Sequence, residues 1–149
     1  AGMMAESMKQ LKCTHHQALA EELPLPDEEF DYLTMGFALR HVNDLEAAFK
    51  EYYRVLKPGS TCCVLDLTMP KNPIGRFLVK LYFKDILPFM TRIITGNKDA
   101  EYLMAYYWDT LDQMVPRETV TKHFESAGFV DVKHHVVIGM FSEYTARKS

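Results

Sequence analysis

The stretch STCCVLDLT, residues 60–68, constrains the fold more than any other part of the chain. From Cys62 to Leu67 it is apolar except for Asp66, with no alternation between polar and apolar positions. A strand of that composition is buried on both faces, the condition of a parallel sheet lying under helices. The segment in front of it agrees. Asn43 and Glu46 make a capping-box-like start, and Leu45, Ala48, Phe49, Tyr52 and Leu56 follow at helical spacing. Lys57-Pro58-Gly59 then supplies a cation and two breakers to stop the helix before the strand begins.

The remaining chain reads as an alternation of the same two kinds of element. Residues 1–12 have the spacing of a helix, although no capping residue precedes the first turn. CTHHQAL is a short strand candidate, EELPLPDEE a proline-marked turn, and FDYLTMGFAL a second apolar run of strand length. After the loop PKNPIGR, Phe77 to Thr95 reads as an apolar helix bent or broken at Pro88. Ala100 to Leu111 reads as another helix, rich in aromatic residues. Pro116 opens a helix that ends at Gly128. FVDVKHHVVIGMFSEYTARKS closes the chain as two strands with a turn near Gly139. This order means an α/β sandwich with a mainly parallel sheet, and 149 residues suit a single domain.

Charge and cysteine usage exclude some functions. A net charge of −3 argues against nucleic acid as a partner, because phosphate binding wants a basic face. Cys13, Cys62 and Cys63 form no disulfide framework, and they read as reduced thiols of a cytoplasmic protein. Adjacent Cys62 and Cys63 point to opposite faces of their strand, as do the pairs His15-His16 and His134-His135 on theirs. No metal-ligand spacing occurs, so no metal is expected. No run approaches the ~20 apolar residues of a membrane span, and no signal peptide is visible.

Four blocks in order, LPLPDEEFDYL, ALRHVNDLEAAFKEYYRVLKPGS, VLDLTMP and FESAGFVDVK, resemble the second half of a class I S-adenosylmethionine-dependent methyltransferase. Within that superfamily the chain is most similar to the ubiquinone/menaquinone C-methyltransferase (UbiE/COQ5-like) family. AGMM, FALRHV, LDLTMPKNPIGR and the aromatic helix leading into VPRETV carry that likeness. The resemblance implies an α/β fold: a Rossmann-like methyltransferase sheet, incomplete at the N-terminus, with a C-terminal antiparallel hairpin. On this basis residues 1–149 are the C-terminal portion of a single methyltransferase domain, and residues 70–115 are a helical insertion covering the substrate. AGMM would follow the ribose-binding strand, and the glycine-rich turn would lie before Ala1. A sheet interrupted there leaves unpaired edges, so the chain is expected either to belong to a longer one or to close the gap by association, for instance as a homodimer.

The resemblance also implies a site. Leu19 and Ala20 align with the adenine-recognising loop, where Leu19 replaces the family's frequent Asp or Asn. Gly36 and Phe37 fall in the segment after the fourth family strand, which edges S-adenosyl-L-methionine and the acceptor. Arg40 and His41 are the catalytic candidates, placed to steady a phenolate. The His41 imidazole could also serve as a base, while a capping or packing role remains open. Tyr82, Tyr102, Tyr106 and Trp108 would line an aromatic acceptor pocket, a plain core being equally compatible. Asp66 either faces the crevice or accepts hydrogen bonds from a neighbouring loop. The implied reaction is C-methylation of a lipophilic aromatic acceptor, a quinol or quinone precursor, with no nucleic acid involved. Apolar residues interleaved with Arg76, Lys80, Lys84 and Arg92 fit a cover that also touches a membrane from the cytoplasmic side. Two other readings remain open: a class I methyltransferase for another small molecule, and a non-catalytic fragment.

Overall fold

The computed structural model describes residues 12–70, 72–95, 114–137 and 139–149. Its sheet has four strands in the spatial order β1–β2–β4–β3. β1 (Phe30–Gly36) runs parallel to β2 (Leu56–Leu67), and the crossover between them is helix α1 (Leu45–Val55). β3 (Phe129–Val137) and β4 (Phe141–Lys148) form the expected hairpin, whose second strand pairs antiparallel with β2. Among the described residues the parallel part of the sheet is therefore β1 with β2, and the other half is antiparallel.

Register explains the core. Cys62 lies opposite Ala146 and Val64 opposite Tyr144, so these four share one face. Ala48, Phe49 and Tyr52 of α1 pack on that face, together with Val120 and Phe124 of the helix Arg117–Ser126. Phe49 meets Phe124 edge-on at 4.5 Å, and Phe124 meets Phe129 at 5.2 Å. Cys62 and Cys63 are both buried free thiols, and burial pushes the Cys62 thiol well above its ordinary pKa.

Two cations hold the loops to this core. Arg54 donates to the carbonyls of Leu23 and Leu25 and to Glu51, fastening the proline-marked turn onto α1. Lys148 is buried. Its Nζ donates to the Leu56 carbonyl at 2.8 Å and to Glu28 at 3.1 Å, and it sits over the Tyr53 ring.

Several local expectations are corrected. CTHHQAL is not a strand. Its only ladder feature is an isolated bridge between Leu19 and Glu22, because no described strand lies alongside to take its backbone groups. The cap of α1 is Asp44 rather than Asn43: the Asp44 carboxylate accepts the Ala47 N–H at 3.0 Å, and the Asn43 N–H is engaged by Glu21. The helix also ends earlier than expected, at Val55, and Lys57-Pro58-Gly59 lies inside the start of β2. There the register jumps from Phe30 opposite Leu56 to Tyr32 opposite Thr61, and Gly59 takes up the irregularity at φ +80°.

The stretch expected as a helix from Phe77 begins sooner. Asn72 caps a helix, α2 (Pro73–Lys80), that continues through a π-turn (Leu81–Ile86) into α3 (Leu87–Thr95). The chain does not break at Pro88. Proline offers no N–H, and the wider turn just before it accommodates that loss with an N–H of Leu87 reaching back to the Tyr82 carbonyl. The helices expected over residues 1–12 and 100–111 lie outside the described residues, apart from Lys12.

The aromatic contact at the centre of the core carries a measurable consequence. Phe49→Ala should lower the unfolding free energy by about 3–5 kcal/mol, read as a fall in the denaturant midpoint without a change in slope. A loss under about 1 kcal/mol would show that the contact between α1 and the helix Arg117–Ser126 is not the core of this fold.

Candidate functional site

In open α/β sheets, ligands lie beyond the carboxyl ends of the parallel strands. β1 ends at Gly36 and β2 at Leu67, and the chain leaving each strand shapes a rim on that side. Phe37 turns out of β1 with φ +56°, a conformation that bulky residues avoid and that stores about 1–3 kcal/mol. Its N–H donates to the Leu65 carbonyl at 2.7 Å, and its ring meets Phe141 edge-on at 6.2 Å. These contacts hold an aromatic ring at the rim, 43% exposed.

Beside it lies a mostly apolar recess of about 210 Å³, lined by Phe37, Leu65, Asp66, Val137, Phe141, Ser142 and Glu143. Asp66 is buried there and accepts the Leu67 N–H at 2.8 Å. It lines the recess, and its hydrogen bond comes from the adjacent residue of its own strand rather than from a neighbouring loop. Burial raises its carboxyl above the ordinary range; the Leu67 N–H and then the charges of Arg40 and His41 act in the opposite direction. On the same face, Ser142 contacts His134 at 2.9 Å, and the His134 ring stacks on Tyr144 at 4.5 Å.

Arg40 and His41 belong to a short 3-10 turn, Leu39–His41, immediately after the rim. Leu39 is buried and anchors the turn, and the Nε of Arg40 is buried with no hydrogen-bond partner among the described residues. His41 is exposed, and the cap of α1 is Asp44. Gly36 has ordinary backbone angles, and a Cβ added there would meet nothing within 4 Å. The space over it is open.

Leu19 and Ala20 lie in a turn closed by the Glu22 N–H to the Leu19 carbonyl, with Leu19 63% exposed. Glu21 ties this turn to the segment after His41: its Oε1 accepts the N–H groups of Asn43 at 2.8 Å and Asp44 at 3.1 Å. The Asp44 amide first, and the Asn43 amide as well, hold the Glu21 carboxyl below its usual range. One carboxylate therefore fastens the turn bearing Leu19 and Ala20 to the start of α1.

Gly36, Phe37, Arg40 and His41 sit in one continuous segment, but only Phe37 lines the recess. Tyr82 lies on the π-turn, half-exposed. Tyr102, Tyr106 and Trp108 lie outside the described residues. The hairpin residues Val137, Phe141, Ser142 and Glu143 were not anticipated. The turn at Gly139 was their only signal, and it does not reveal which strand β4 would join. Among the described residues no group of three His, Cys, Asp or Glu is placed to hold a metal ion.

This arrangement is the fold of S-adenosylmethionine-dependent methyltransferases. A SAM-dependent methyltransferase from Thermotoga maritima superposes with a TM-score of 0.65 at 22% identity, over 99% of this chain and 69% of its own. One from Aquifex aeolicus gives 0.61 at 15% identity, over 99% and 61%. The chain belongs to the ubiE/COQ5 methyltransferase family, whose model matches residues 2–148. A demethylmenaquinone methyltransferase of Staphylococcus aureus is 36% identical over 129 residues, covering 85% of this chain and 51% of that protein. The chain thus spans about half the length of the curated relatives it matches.

Two substitutions test the geometry of the rim. Because nothing crowds Gly36, Gly36→Ser should change stability by no more than about 0.5 kcal/mol, and a larger loss in thermal or denaturant unfolding would contradict the open space. Asp66 favours its protonated form when folded, so its contribution to stability is complete below the ordinary value of 3.8 and is lost as pH rises through the higher folded value. Asp66→Asn should therefore be more stable than the parent at neutral pH, with the difference shrinking on acidification towards pH 4. A pH-independent difference would contradict that burial.

Proposed function

We propose that the full-length protein transfers a methyl group from S-adenosyl-L-methionine to a ring carbon of a lipophilic aromatic acceptor of the quinol or quinone-precursor class. Membership of the ubiE/COQ5 family over nearly the whole chain carries this reading, and the name of the Staphylococcus aureus relative supports the acceptor class. The rim fits the cofactor in two respects: the space above Gly36 is open, and the loop bearing Leu19 and Ala20 is fastened next to the segment bearing Arg40. Leu19, Ala20, Gly36 and Phe37 would hold it. When bound, it supplies a methyl group already activated on a sulfonium.

The chain's own residues then have to orient the acceptor, hold its charge and exclude water. In this reading Arg40 steadies the phenolate formed when the acceptor loses a proton, and His41 assists. The terminal N–H donors of the Arg40 guanidinium suit such an oxygen, and the Nε, buried without a partner among the described residues, is not the group that would reach it. Phe37 presents an aromatic face at the rim. Tyr82, Tyr102, Tyr106 and Trp108 line the acceptor pocket, within a substrate-covering insertion over residues 70–115. Peripheral contact with the cytoplasmic side of a membrane, and self-association as a homodimer, complete the reading.

The test is transfer of labelled methyl from S-adenosylmethionine to a lipid-extractable quinol by the full-length protein. Arg40→Ala should lower kcat by about a hundredfold or more, the scale of losing one donor to a developing oxyanion, with cofactor affinity retained. An unchanged rate would remove Arg40 from the mechanism. Absence of transfer to any quinol, alongside transfer to a water-soluble acceptor, would overturn the acceptor class.

A further inference from the structure

The helical stretch Pro73–Thr95 exposes an unusual amount of apolar surface. Ile74, Phe77, Leu78 and Leu81 recur at i, i+3, i+4 and i+7, and each is exposed. Ile86, Phe89, Met90 and Ile93 repeat that spacing and are also exposed. Val79 alone is buried among the residues of α2, marking the side turned toward the protein. The two quartets start 12 residues apart, which in an uninterrupted α-helix is about 3.3 turns, leaving them a third of a turn out of line. The π-turn between them absorbs an extra residue. With that residue discounted the offset is about three whole turns, and the quartets fall on one stripe.

The same segment is cationic. Residues 72–95 carry Arg76, Lys80, Lys84 and Arg92 against one acid, Asp85, a net of +3 in a chain whose total is −3. Arg76, Lys80 and Lys84 are exposed and spaced four apart. A helix with one apolar stripe and exposed cations off that stripe suits a surface that is apolar below and anionic above, which is the boundary of an anionic lipid bilayer. No helix among the described residues is long and apolar enough to cross a membrane.

We propose that Pro73–Thr95 is an in-plane docking helix for anionic lipid surfaces, and that its π-turn exists to bring the two apolar quartets onto one face. This deepens the membrane contact in the proposed function and rests on that part of it alone. Methyl transfer is not required for it to hold.

Sedimentation of the full-length protein with vesicles of phosphatidylcholine, with and without 30% phosphatidylserine or phosphatidylglycerol, tests it. Binding should be strong only to the anionic vesicles and should weaken with salt. Each of Arg76→Glu, Lys80→Glu and Lys84→Glu should reduce partitioning at least about fivefold, the scale of one surface cation. Phe77→Ser with Phe89→Ser should abolish binding. Insertion of one alanine after Lys84 restores the misalignment and should weaken binding with the thermal unfolding of the core unchanged. Equal binding to neutral vesicles, or no effect of the three charge reversals, would overturn the proposal. So would a chain that ignores vesicles and buries this stripe in a dimer or under another segment. Such an outcome together with intact quinol methylation would leave the catalytic reading standing.

Discussion

The structure depends on β2 being paired on both sides. β1 runs parallel along one edge and β4 antiparallel along the other, and this central position buries Cys62, Cys63, Val64 and Asp66 together. Burial of the three apolar residues helps drive folding. Burial of Asp66 works against it, because desolvation disfavours the carboxylate. The same geometry that creates the core therefore carries a carboxyl group to the carboxyl end of the parallel pair. There the Leu67 amide and the nearby charges of Arg40 and His41 partly offset its burial.

The rim is assembled by fixing short segments to this rigid strand. Phe37 is held out of β1 by the Leu65 carbonyl and the Phe141 ring. Leu39 plugs the core and so positions Arg40 beside it. Glu21 joins the turn at Leu19 to the start of α1. None of these contacts is large, but each ties a loop to an element whose position the sheet already determines. A site built this way is preorganised by the strands and adjustable through the loops.

Much of the fold was legible because its signals are local and periodic. The apolar run ending in Asp66, the helical spacing of Ala48, Phe49 and Tyr52, and the turn at Gly139 each identify one element without reference to any other. The errors fall where distant residues decide. Asp44 rather than Asn43 caps α1, at a start held by Glu21 from 22 residues earlier, which accepts the N–H groups of both. CTHHQAL has strand-like composition but no strand beside it among the described residues. Lys57-Pro58-Gly59 has the chemistry of a helix stop, yet the register of β1 against β2 draws it into the sheet. For the site, the order of motifs placed Gly36, Phe37, Arg40 and His41 in one segment. The hairpin's share of the recess could not be read, because it depends on which edge β4 joins.

In the function proposed, methyl donor and acceptor meet at the carboxyl end of the β1–β2 pair. Hydrogen–deuterium exchange of the full-length protein, with and without S-adenosylhomocysteine, addresses it most directly. The account predicts slower exchange in 19–22, 36–42 and the start of β4, with the distant end near Lys148 unchanged. Protection confined to the surface around Asp27, Arg54 and Lys148, with 36–42 unaffected, would contradict it.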